Sequence, residues 1–371
     1  MSLDVGLFLM PNHPPNTKIY DANKFDLDTL ILADQLGFSE AWIGEHFTAP
    51  WEPLPCPDIL IVQALAKTKN IKLGAGAHLL PYHHPVELAH RIAYIDHLSQ
   101  GRLLLAIGAG GLPTDATLFN VDFKTGENRK MAREALEILL FLWNENSLDE
   151  YKGKYWTVKK PDVDKWKDLS LKYYLSTYQK PHPPIGIAGA SPNSKTLELA
   201  GEKGFIPMSL GAGAAYLATH WESVKKGAKR AKKKNPSRKN WRLVRDVWIA
   251  NTDKEAFEYA RNGMLSRAWK EYLLPLASYG DPPLLGGFKH DINVKNEDIN
   301  IEYMLEHVWL VGSPETVEKK IRKLFQSSGG GFGVLLCQVL DHSENIKGWH
   351  NSLELLTKVV IPRLSDLNIE N

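Results

Sequence analysis

The sequence predicts a (β/α)8 barrel, the TIM barrel fold, with insertions. Eight short apolar segments alternate with longer segments whose apolar residues recur at helical spacing. The short segments are apolar throughout, as expected for parallel strands that are covered on both faces. A length of 371 residues fits this fold as well. A doubly wound open sheet is the alternative.

The eight predicted strands are spread over the whole chain. They are LDVGLFL (3–9), EAWIG (40–44), IKLGAGAHLLP (71–81), RLLLAIGAG (102–110), PPIGIA (183–188), FIPMSLG (205–211), WRLVRDVWIAN (241–251) and FGVLLCQVL (332–340). Helical patterns fill the intervals, and two of them stop at Gly37 and Gly101, because glycine commonly ends a helix. A long helix is predicted from Glu127 to Asn144.

Two stretches do not fit the alternation. A hairpin is predicted over Glu150–Val158, and a polar stretch rich in aromatic residues follows it to about residue 183. A loop-like region extends over roughly 277–300. We therefore expect one barrel domain over residues 1–371, with insertions at about 149–183 and 270–305. The aromatic residues of the first insertion could wall an apolar pocket or pack locally, and both interpretations remain open.

Composition narrows the class of protein. The formal charge of +2 gives no electrostatic reason to expect nucleic acid or an anionic membrane as a partner. The two cysteines, Cys56 and Cys337, form no disulfide framework and suit a reducing compartment. The N-terminus lacks the features of a signal peptide, and no run of 18 apolar residues exists. We expect a soluble, cytoplasmic protein.

Polar residues and glycines collect where the predicted strands end. Glu45 and His46 follow the second strand, and His78 ends the third. GAGG (108–111) ends the fourth strand and GAS (189–191) the fifth. Active sites of TIM barrels lie at the C-terminal ends of the strands, so these residues share the candidate rim.

His46 is the first catalytic candidate on this rim. Imidazole titrates near neutral pH, so His46 could act as a general base or bind a cofactor or intermediate. A rim histidine that is satisfied by a neighbouring loop is the alternative. Glu45 is the second candidate, either orienting His46 or remaining a solvated charge.

The segment GASPNSKTLELAG (189–201) predicts a capped helix. Ser191 can serve as the N-cap, and Pro192 suits the first helical turn. The free amides of a helix N-terminus, with the hydroxyls of Ser191 and Ser194, can hold a phosphate. Ordinary capping without a ligand remains the alternative.

Other ligand signatures are weak. GAGG permits close approach of the backbone to a flat ligand, but Pro113 stands where a dinucleotide fingerprint needs its third glycine. The adjacent histidines of PYHHP (81–85) rarely bind one ion together, and no HExxH or paired CxxC exists. We expect no metal site.

Five longer segments carry family-level information in order along nearly the whole chain. They are AWIGEHF, GAGAHLLPYHHPVELAHRIAYIDHLSQGRLLLAIGAGG, QKPHPPIGIAGASPNSKTLELAGEKGFIPMS, VGSPETVEKKIRKL and SGGGFGVLL. With them the chain resembles the bacterial-luciferase-like flavin monooxygenases. GLPTDATLFNVD and the C-terminal GGGFGVLLCQVLDHSENIKGWHNSLELLTKVVIPRL are most similar to the limonene-monooxygenase-type branch.

The resemblance implies a two-component monooxygenase. It implies that reduced FMN, with FAD as the alternative flavin, is supplied by a separate reductase. Reaction with O2 would give a flavin C4a-peroxide that oxygenates a small apolar organic substrate. An apolar barrel mouth roofed by the aromatic insertion would exclude water from this chemistry. The resemblance also implies a homodimer.

The resemblance assigns roles to individual residues. It makes His46, or its neighbour Glu45, the catalytic group of the flavin site. It implies a non-proline cis peptide at Gly76–Ala77 behind the flavin ring, with Gly108 and Ala109 near the ring. Asn128 is a further flavin contact, and Ala190, Ser191 and Ser194 form the phosphate-binding turn.

One departure from the family pattern concerns the phosphate. Some members place an arginine after the fourth strand, where this chain has GAGG. Two consequences remain open: either the flavin phosphate is bound more weakly, or another cation, such as Arg129 or Lys195, takes the place of the arginine. Two other functions remain as alternatives, namely a deazaflavin-dependent oxidoreductase that transfers hydride and a non-catalytic flavin-binding barrel protein.

Overall fold

The computed structural model describes residues 3–144, 146–279 and 283–370. Eleven strands lie within these ranges: β1 (Asp4–Asn12), β2 (Glu40–Ile43), β3 (Lys72–Leu79), β4 (Leu103–Gly108), β5 (Glu150–Lys152), β6 (Thr157–Lys159), β7 (Ile185–Gly189), β8 (Ile206–Leu210), β9 (Arg242–Ile249), β10 (Leu310–Gly312) and β11 (Val334–Leu340).

The α-helices of the described ranges are α1 (Ile19–Gln35), α2 (Pro57–Leu65), α3 (Pro85–Ser99), α4 (Pro113–Leu118), α5 (Glu127–Trp143), α6 (Lys195–Lys203), α7 (Ala214–Arg230), α8 (Asp253–Asn262), α9 (Met264–Ala268), α10 (Leu274–Ser278), α11 (Ile301–His307), α12 (Pro314–Ser327), α13 (Ile346–Leu355) and α14 (Ile361–Arg363). A π-helical turn, Trp269–Leu273, joins α9 to α10. No helix in the described parts of the chain is long and apolar enough to cross a membrane.

Eight parallel strands close into a barrel. Their order is β9-β11-β1-β2-β3-β4-β7-β8, and β8 pairs with β9 to complete the circle. These are the eight strands that the apolar segments predict, so the TIM barrel prediction is confirmed and the open sheet is excluded. The C-terminal ends of the strands meet on one rim, which positions the candidate site.

The sequence pattern misses one strand. The first part of β9 pairs with β11, whereas its last three residues, from Val247 to Ile249, pair with β10 instead. Three residues are too few to show a strand pattern, so the segment could not be separated from the helix that follows it. The chain thus gains a short strand outside the barrel wall.

The barrel interior is filled at one end and open at the other. Glu40 and Arg242 form a buried ion pair with 2.8 Å between Oε2 and the guanidinium. Above it lies a fully packed apolar layer that includes Trp42 and Met208. The next layer, made of Met10, Ala77, Ala188 and Leu210, is only half-buried. This half-buried layer is called the barrel floor below, because it faces the C-terminal opening.

The first insertion lies away from that opening. Its hairpin, β5 and β6, packs on α5, where Glu134 accepts hydrogen bonds from the amides of residues 154–156. Gln179 donates to Asp96 and to the carbonyl oxygen of Leu103, the first residue of β4. The aromatic insertion therefore does not roof the barrel mouth, and that prediction is wrong.

The aromatic side chains of this insertion pack locally on the outside of α3. Tyr173 makes an edge contact with His90, with ring centroids 5.1 Å apart, and Tyr178 makes one with His97 at 5.8 Å. Aromatic composition alone cannot distinguish a pocket wall from outer packing, because both bury the same apolar area. Of the two interpretations left open by the sequence, the structure supports local packing.

The segment from α9 onward covers the opening instead. Trp269 Nε1 donates to Asp246 at the C-terminal end of β9, and Tyr272 OH donates to Glu52 after β2. Further along, Gly213 N, after β8, donates to the carbonyl oxygen of Gly287. Only residues 264–278, which contain Trp269 and Tyr272, are called the roof below.

Candidate active site

His46 lies between two carboxylates at the mouth of the barrel. Its Nδ1 is 3.2 Å from Asp115 Oδ2, and its Nε2 is 3.4 Å from Glu52 Oε2. The side chain keeps 12% of its surface exposed, although both carboxylates are buried. The imidazole is therefore held in place and still accessible from the mouth.

Asp115 is the firmer of the two partners. It lies in the first turn of α4 and also accepts hydrogen bonds from Thr48 Oγ1 and from the amide of Phe47. Burial alone would raise the pKa of Asp115, but the hydrogen bonds from His46 and Thr48 lower it. Burial likewise lowers the pKa of His46, yet Asp115 and Glu52 raise it above 6.5 overall. The two carboxylates therefore favour the protonated form of His46.

Glu52 connects the histidine to the roof. Its Oε1 accepts from Asn12 Nδ2 at 2.9 Å, and its Oε2 accepts from Tyr272 OH at 2.8 Å. Burial and the nearby charge of Glu52 raise the pKa of Tyr272, so the phenol remains a donor. One carboxylate thus joins the end of β1, the candidate catalytic histidine and the roof.

Glu45 turns to a different set of partners. Its carboxylate accepts from the amide of Leu79 at 2.7 Å and lies 2.8 Å from His83 Nε2. Arg91 approaches His83 Nδ1 at 3.3 Å. Because a guanidinium can only donate, Nδ1 accepts and Nε2–H donates to Glu45. These bonds join Glu45 to Leu79 and His83, and none of them reaches His46. The hypothesis that Glu45 orients His46 therefore gains no support from them.

The ligand atoms of Glu45, His78 and His83 lie within 4.8 Å of one another, as the ligands of a metal would. Internal bonding accounts for Glu45 and His83, whereas the buried His78 Nδ1 has no hydrogen-bond partner among the described residues. Asp58 engages His78 Nε2 at 3.1 Å and Arg91 Nε at 2.6 Å. A cation would require a lone pair on His83 Nε2, which the donation from Arg91 to Nδ1 disfavours.

The contacts predicted for the flavin ring lie at the neighbouring ends of β3 and β4, and Asn128 reaches them from the first turn of α5. The peptide bond Gly76–Ala77 is cis, as the resemblance implies. A Cβ on Gly108 would lie 3.5 Å from that of Ala77, so the ends of the two strands are close neighbours above the barrel floor. Asn128 Nδ2 donates to the carbonyl oxygen of Ala109 at 2.9 Å. Its Oδ1 is buried and has no hydrogen-bond partner among the described residues.

The predicted phosphate turn differs from its expected geometry. Helix α6 starts at Lys195, and its N-cap is Ser194, whose Oγ accepts from the amide of Leu197 at 3.4 Å. The prediction that Ser191 caps the helix is wrong. Asn193 adopts a φ of 53°, which is not a right-handed helical value, so the helix cannot begin until after Asn193. Ser191 is exposed and Ala190 half-buried on this turn.

The expected substitutes for the missing arginine are both exposed. Lys195 keeps 80% of its side chain exposed and lies 3.2 Å from Glu198 on its own helix. Arg129 lies on the exposed side of the first turn of α5, one residue after Asn128. Neither side chain is held in a built position beside Ser191.

Four residues of the mouth escaped the sequence analysis. Asp115 lies in GLPTDATLFNVD, one of the segments that the sequence analysis named, whereas Glu52 lies five residues beyond AWIGEHF. No local pattern marks Tyr272 or Asp246. Their role depends on packing between residues more than 20 positions apart, as Trp269 to Asp246 and Tyr272 to Glu52 demonstrate.

Asp246 extends the polar rim to the far side of the mouth. It is the strand partner of Gln338 on β11, whose Nε2 lies 3.5 Å from Asn12 Oδ1. Burial raises the pKa of Asp246 to about 7, opposed by the hydrogen bond from Trp269. A polar arc therefore runs from Asp246 through Gln338 and Asn12 to the His46 cluster.

Comparison with known proteins places this arrangement in context. Residues 4–330 match the family model described as luciferase-like monooxygenase. The chain is 31% identical to 3,6-diketocamphane 1,6-monooxygenase of Pseudomonas putida, covering 98% of this chain and 99% of that protein. It is 29% identical to limonene 1,2-monooxygenase of Rhodococcus erythropolis, covering 98% of this chain and 87% of that one.

A solved structure agrees over the full length. It is the type II Baeyer–Villiger monooxygenase that forms the oxygenating constituent of 3,6-diketocamphane monooxygenase from the CAM plasmid of Pseudomonas putida, in complex with FMN. The two chains are 32% identical, each is covered completely, and the TM-score is 0.91.

Proposed function

Since the chain belongs to the luciferase-like monooxygenase family, we propose that it is an FMN-dependent monooxygenase that converts an apolar cyclic ketone into a lactone. The support is the full-length likeness to an FMN-bound Baeyer–Villiger enzyme, combined with the partly exposed His46 cluster at the barrel mouth. One atom of O2 would enter the bond next to the carbonyl, and the other would leave as water.

The residues of the mouth fit a flavin. The half-buried floor gives an apolar surface for a flat ring, and the small residues Ala77 and Gly108 leave room beside it. The unpartnered Oδ1 of Asn128 is a free acceptor at the edge of this space. The turn from Ala190 to Ser194 would hold the phosphate at the start of α6. When bound, reduced FMN supplies two electrons and activates O2.

The remaining chemistry would fall to the chain itself. His46 holds a proton between Asp115 and Glu52, and its longer contact, at Nε2, makes this nitrogen the better placed to exchange a proton with a ligand. The roof, fixed by Trp269 and Tyr272, would exclude water from the mouth.

The substrate class follows from the apolar floor and from the relatives. Met10, Ala188 and Leu210 offer no charged group to a ligand, so a compact apolar molecule fits the space above them. The diketocamphane monooxygenases are named for ketones of this kind. A flavin reductase as transient partner, a homodimer and a cytoplasmic location belong to the same proposal.

An isotope experiment tests the proposed function. The purified chain would be supplied with FMN, a flavin reductase, NADH and 18O2, together with a bicyclic ketone or limonene, and products would be analysed by mass spectrometry. We expect the bicyclic ketone to give a lactone that contains one 18O atom, derived from 18O2. An epoxide from limonene alone, or no labelled product from either substrate while reduced FMN binds, would contradict the proposal.

A further inference from the structure

A small cavity of about 50 Å³ lies outside the barrel wall, away from the mouth. It is enclosed by β9, β10 and the helices α7, α11 and α12. Its lining includes six residues that donate hydrogen bonds or can carry positive charge: Arg245, His290, His307, Trp309, Lys320 and Lys323. Neither the family likeness nor the proposed reaction uses this cavity.

Arg245 is the central group. Its side chain points outward from β9, since its neighbour Val244 belongs to the barrel interior. The residue is only 3% exposed, and the hydrogen bonds of its guanidinium go to the carbonyl oxygens of Val244 and Ala212. Among the described residues, no carboxylate lies within 4 Å of it. The neighbouring Asp246 interacts with the guanidinium only from beyond ion-pair distance, so Arg245 has no direct counter-ion, whereas buried charges are normally paired.

Two lysines of α12 add positive charge to the same cavity. Lys320 Nζ donates to the carbonyl oxygens of Leu305 at 2.7 Å and Trp309 at 3.1 Å. Within the described ranges it too has no carboxylate at ion-pair distance, and burial lowers its pKa to about 8. Lys323 lines the outer edge and is exposed.

A buried indole supplies an independent observation. Trp309 lines the cavity and is 1% exposed, and its Nε1 has no acceptor among the described residues. A buried donor without an acceptor costs about 1–3 kcal/mol in general, so such groups usually have a partner. The acid of the lining, Glu306, has 76% of its side chain exposed and lies 3.7 Å from His307. It does not satisfy the indole.

We propose that this cavity binds a small tetrahedral oxyanion, of the size and charge of inorganic phosphate or sulfate. The anion would give Arg245 its missing counter-ion and Trp309 its missing acceptor. The cavity volume of about 50 Å³ is several times the roughly 10–15 Å³ that one water molecule needs by the same measure, so the cavity admits an anion of this size. Binding would tie β9, β10 and α12 together and so stabilise the fold.

Anomalous diffraction locates the anion directly. Crystals of the full chain, grown without phosphate or sulfate, would be soaked in sodium selenate, and data would be collected at the selenium edge. We expect a peak within hydrogen-bond distance of Arg245 and of Trp309 Nε1. Occupied sites elsewhere, for example at the Ser191 turn, with none in this cavity, would overturn the proposal.

Thermal unfolding measures the same binding in solution. Sodium phosphate and sodium sulfate would be compared with sodium chloride at equal ionic strength. We expect one of the two oxyanions to raise the Tm by about 3 °C at roughly 100 times its Kd. Equal Tm values in all three salts would contradict an oxyanion site.

Variants assign the shift to the cavity. Arg245→Met removes the central charge but leaves a gap in a buried wall, so Lys320→Met is the second variant. We expect either change to abolish the anion-dependent rise in Tm. Lys319→Met, on the exposed face of the same helix, and Ser194→Ala, at the phosphate turn, should retain it. A rise that survives Lys320→Met or disappears with Ser194→Ala would place the anion elsewhere.

Discussion

Two neighbouring strands of the barrel end in the same chemical group, a histidine between two carboxylates. His13 follows β1 and contacts Asp341 at 2.7 Å and Asp26 at 3.1 Å. His46 follows β2 and contacts Asp115 at 3.2 Å and Glu52 at 3.4 Å. The side chain of His13 is 1% exposed, whereas that of His46 is 12% exposed at the barrel mouth.

This difference in access separates a structural cluster from a chemical one. Both histidines are held by carboxylates that raise their pKa values against the effect of burial. Only His46 can pass its proton to a ligand, because His13 is enclosed on both sides. A histidine–carboxylate pair alone therefore does not identify a catalytic site. The same pair in a position that a ligand can reach is stronger evidence for one.

The largest expected effect is on stability, through the closed cluster. We expect His13→Ala to lower the free energy of unfolding by about 3–5 kcal/mol, since it leaves two buried carboxylates without their partner. Urea unfolding would measure the loss. Product yield per folded molecule should stay unchanged. A lower yield per folded molecule would show that the His13 cluster, like the His46 cluster, takes part in the reaction.

The closed cluster should also make stability depend on pH. Asp26 and Asp341 raise the pKa of His13 to about 9, against a usual value of 6.5. The stabilisation is therefore fully present below pH 6.5 and is lost as the pH rises through 9, by about 3 kcal/mol in all at 1.36 kcal/mol per pKa unit.

The difference between the wild type and His13→Asn isolates the contribution of the closed cluster, because titrating groups that do not interact with His13, Asp26 or Asp341 cancel in it. Unfolding free energies measured in urea from pH 6 to 10 should converge as the pH rises. A difference that stays constant across this range would show that the proton on His13 does not stabilise the fold.

A smaller effect is expected at the open cluster from Asp115→Asn. Asp115 raises the pKa of His46, so the substitution of Asp115 should lower that pKa. In the variant, His46 should therefore lose its proton at a lower pH than in the wild type. We expect product yield to fall several-fold at pH 8 and to recover at lower pH, where His46 is protonated again. A yield that falls equally at every pH would indicate a purely structural role for Asp115.

The smallest effect concerns the roof. Tyr272→Phe removes the hydrogen bond to Glu52 and should cost about 1 kcal/mol of stability. It should also raise the fraction of O2 that is consumed without product, because the roof is held less firmly. Tyr279→Phe, on an exposed residue just after α10, is the matched control and should change neither quantity. If the two variants had the same stability and the same fraction of O2 consumed without product, the bond between Tyr272 and Glu52 would have no role in holding the roof.

The sequence predicted the barrel well because the pattern of each strand is local. Eight apolar segments bounded by glycine or polar residues suffice to recognise a parallel sheet, and His46 stands out because it directly follows one of them. The cis peptide at Gly76–Ala77 came from family resemblance, since no local pattern marks it.

The partners of the site could not be predicted in the same way. Asp115 is 69 positions from His46, and Tyr272 is 220 positions from Glu52. Such contacts depend on how the roof and α4 pack over the rim. For the same reason the sequence could not tell that the aromatic insertion lies outside α3, or that Glu45 faces away from its neighbour His46.

The most direct test of the central claim compares His46→Ala with the wild type in one experiment. Reduced FMN affinity would be measured anaerobically, and lactone formed per O2 consumed would be measured after adding a bicyclic ketone. We predict unchanged FMN affinity and a product ratio that falls roughly 100-fold, the scale of general acid–base catalysis. An unchanged ratio with intact FMN binding would show that the open histidine cluster does not take part in the reaction.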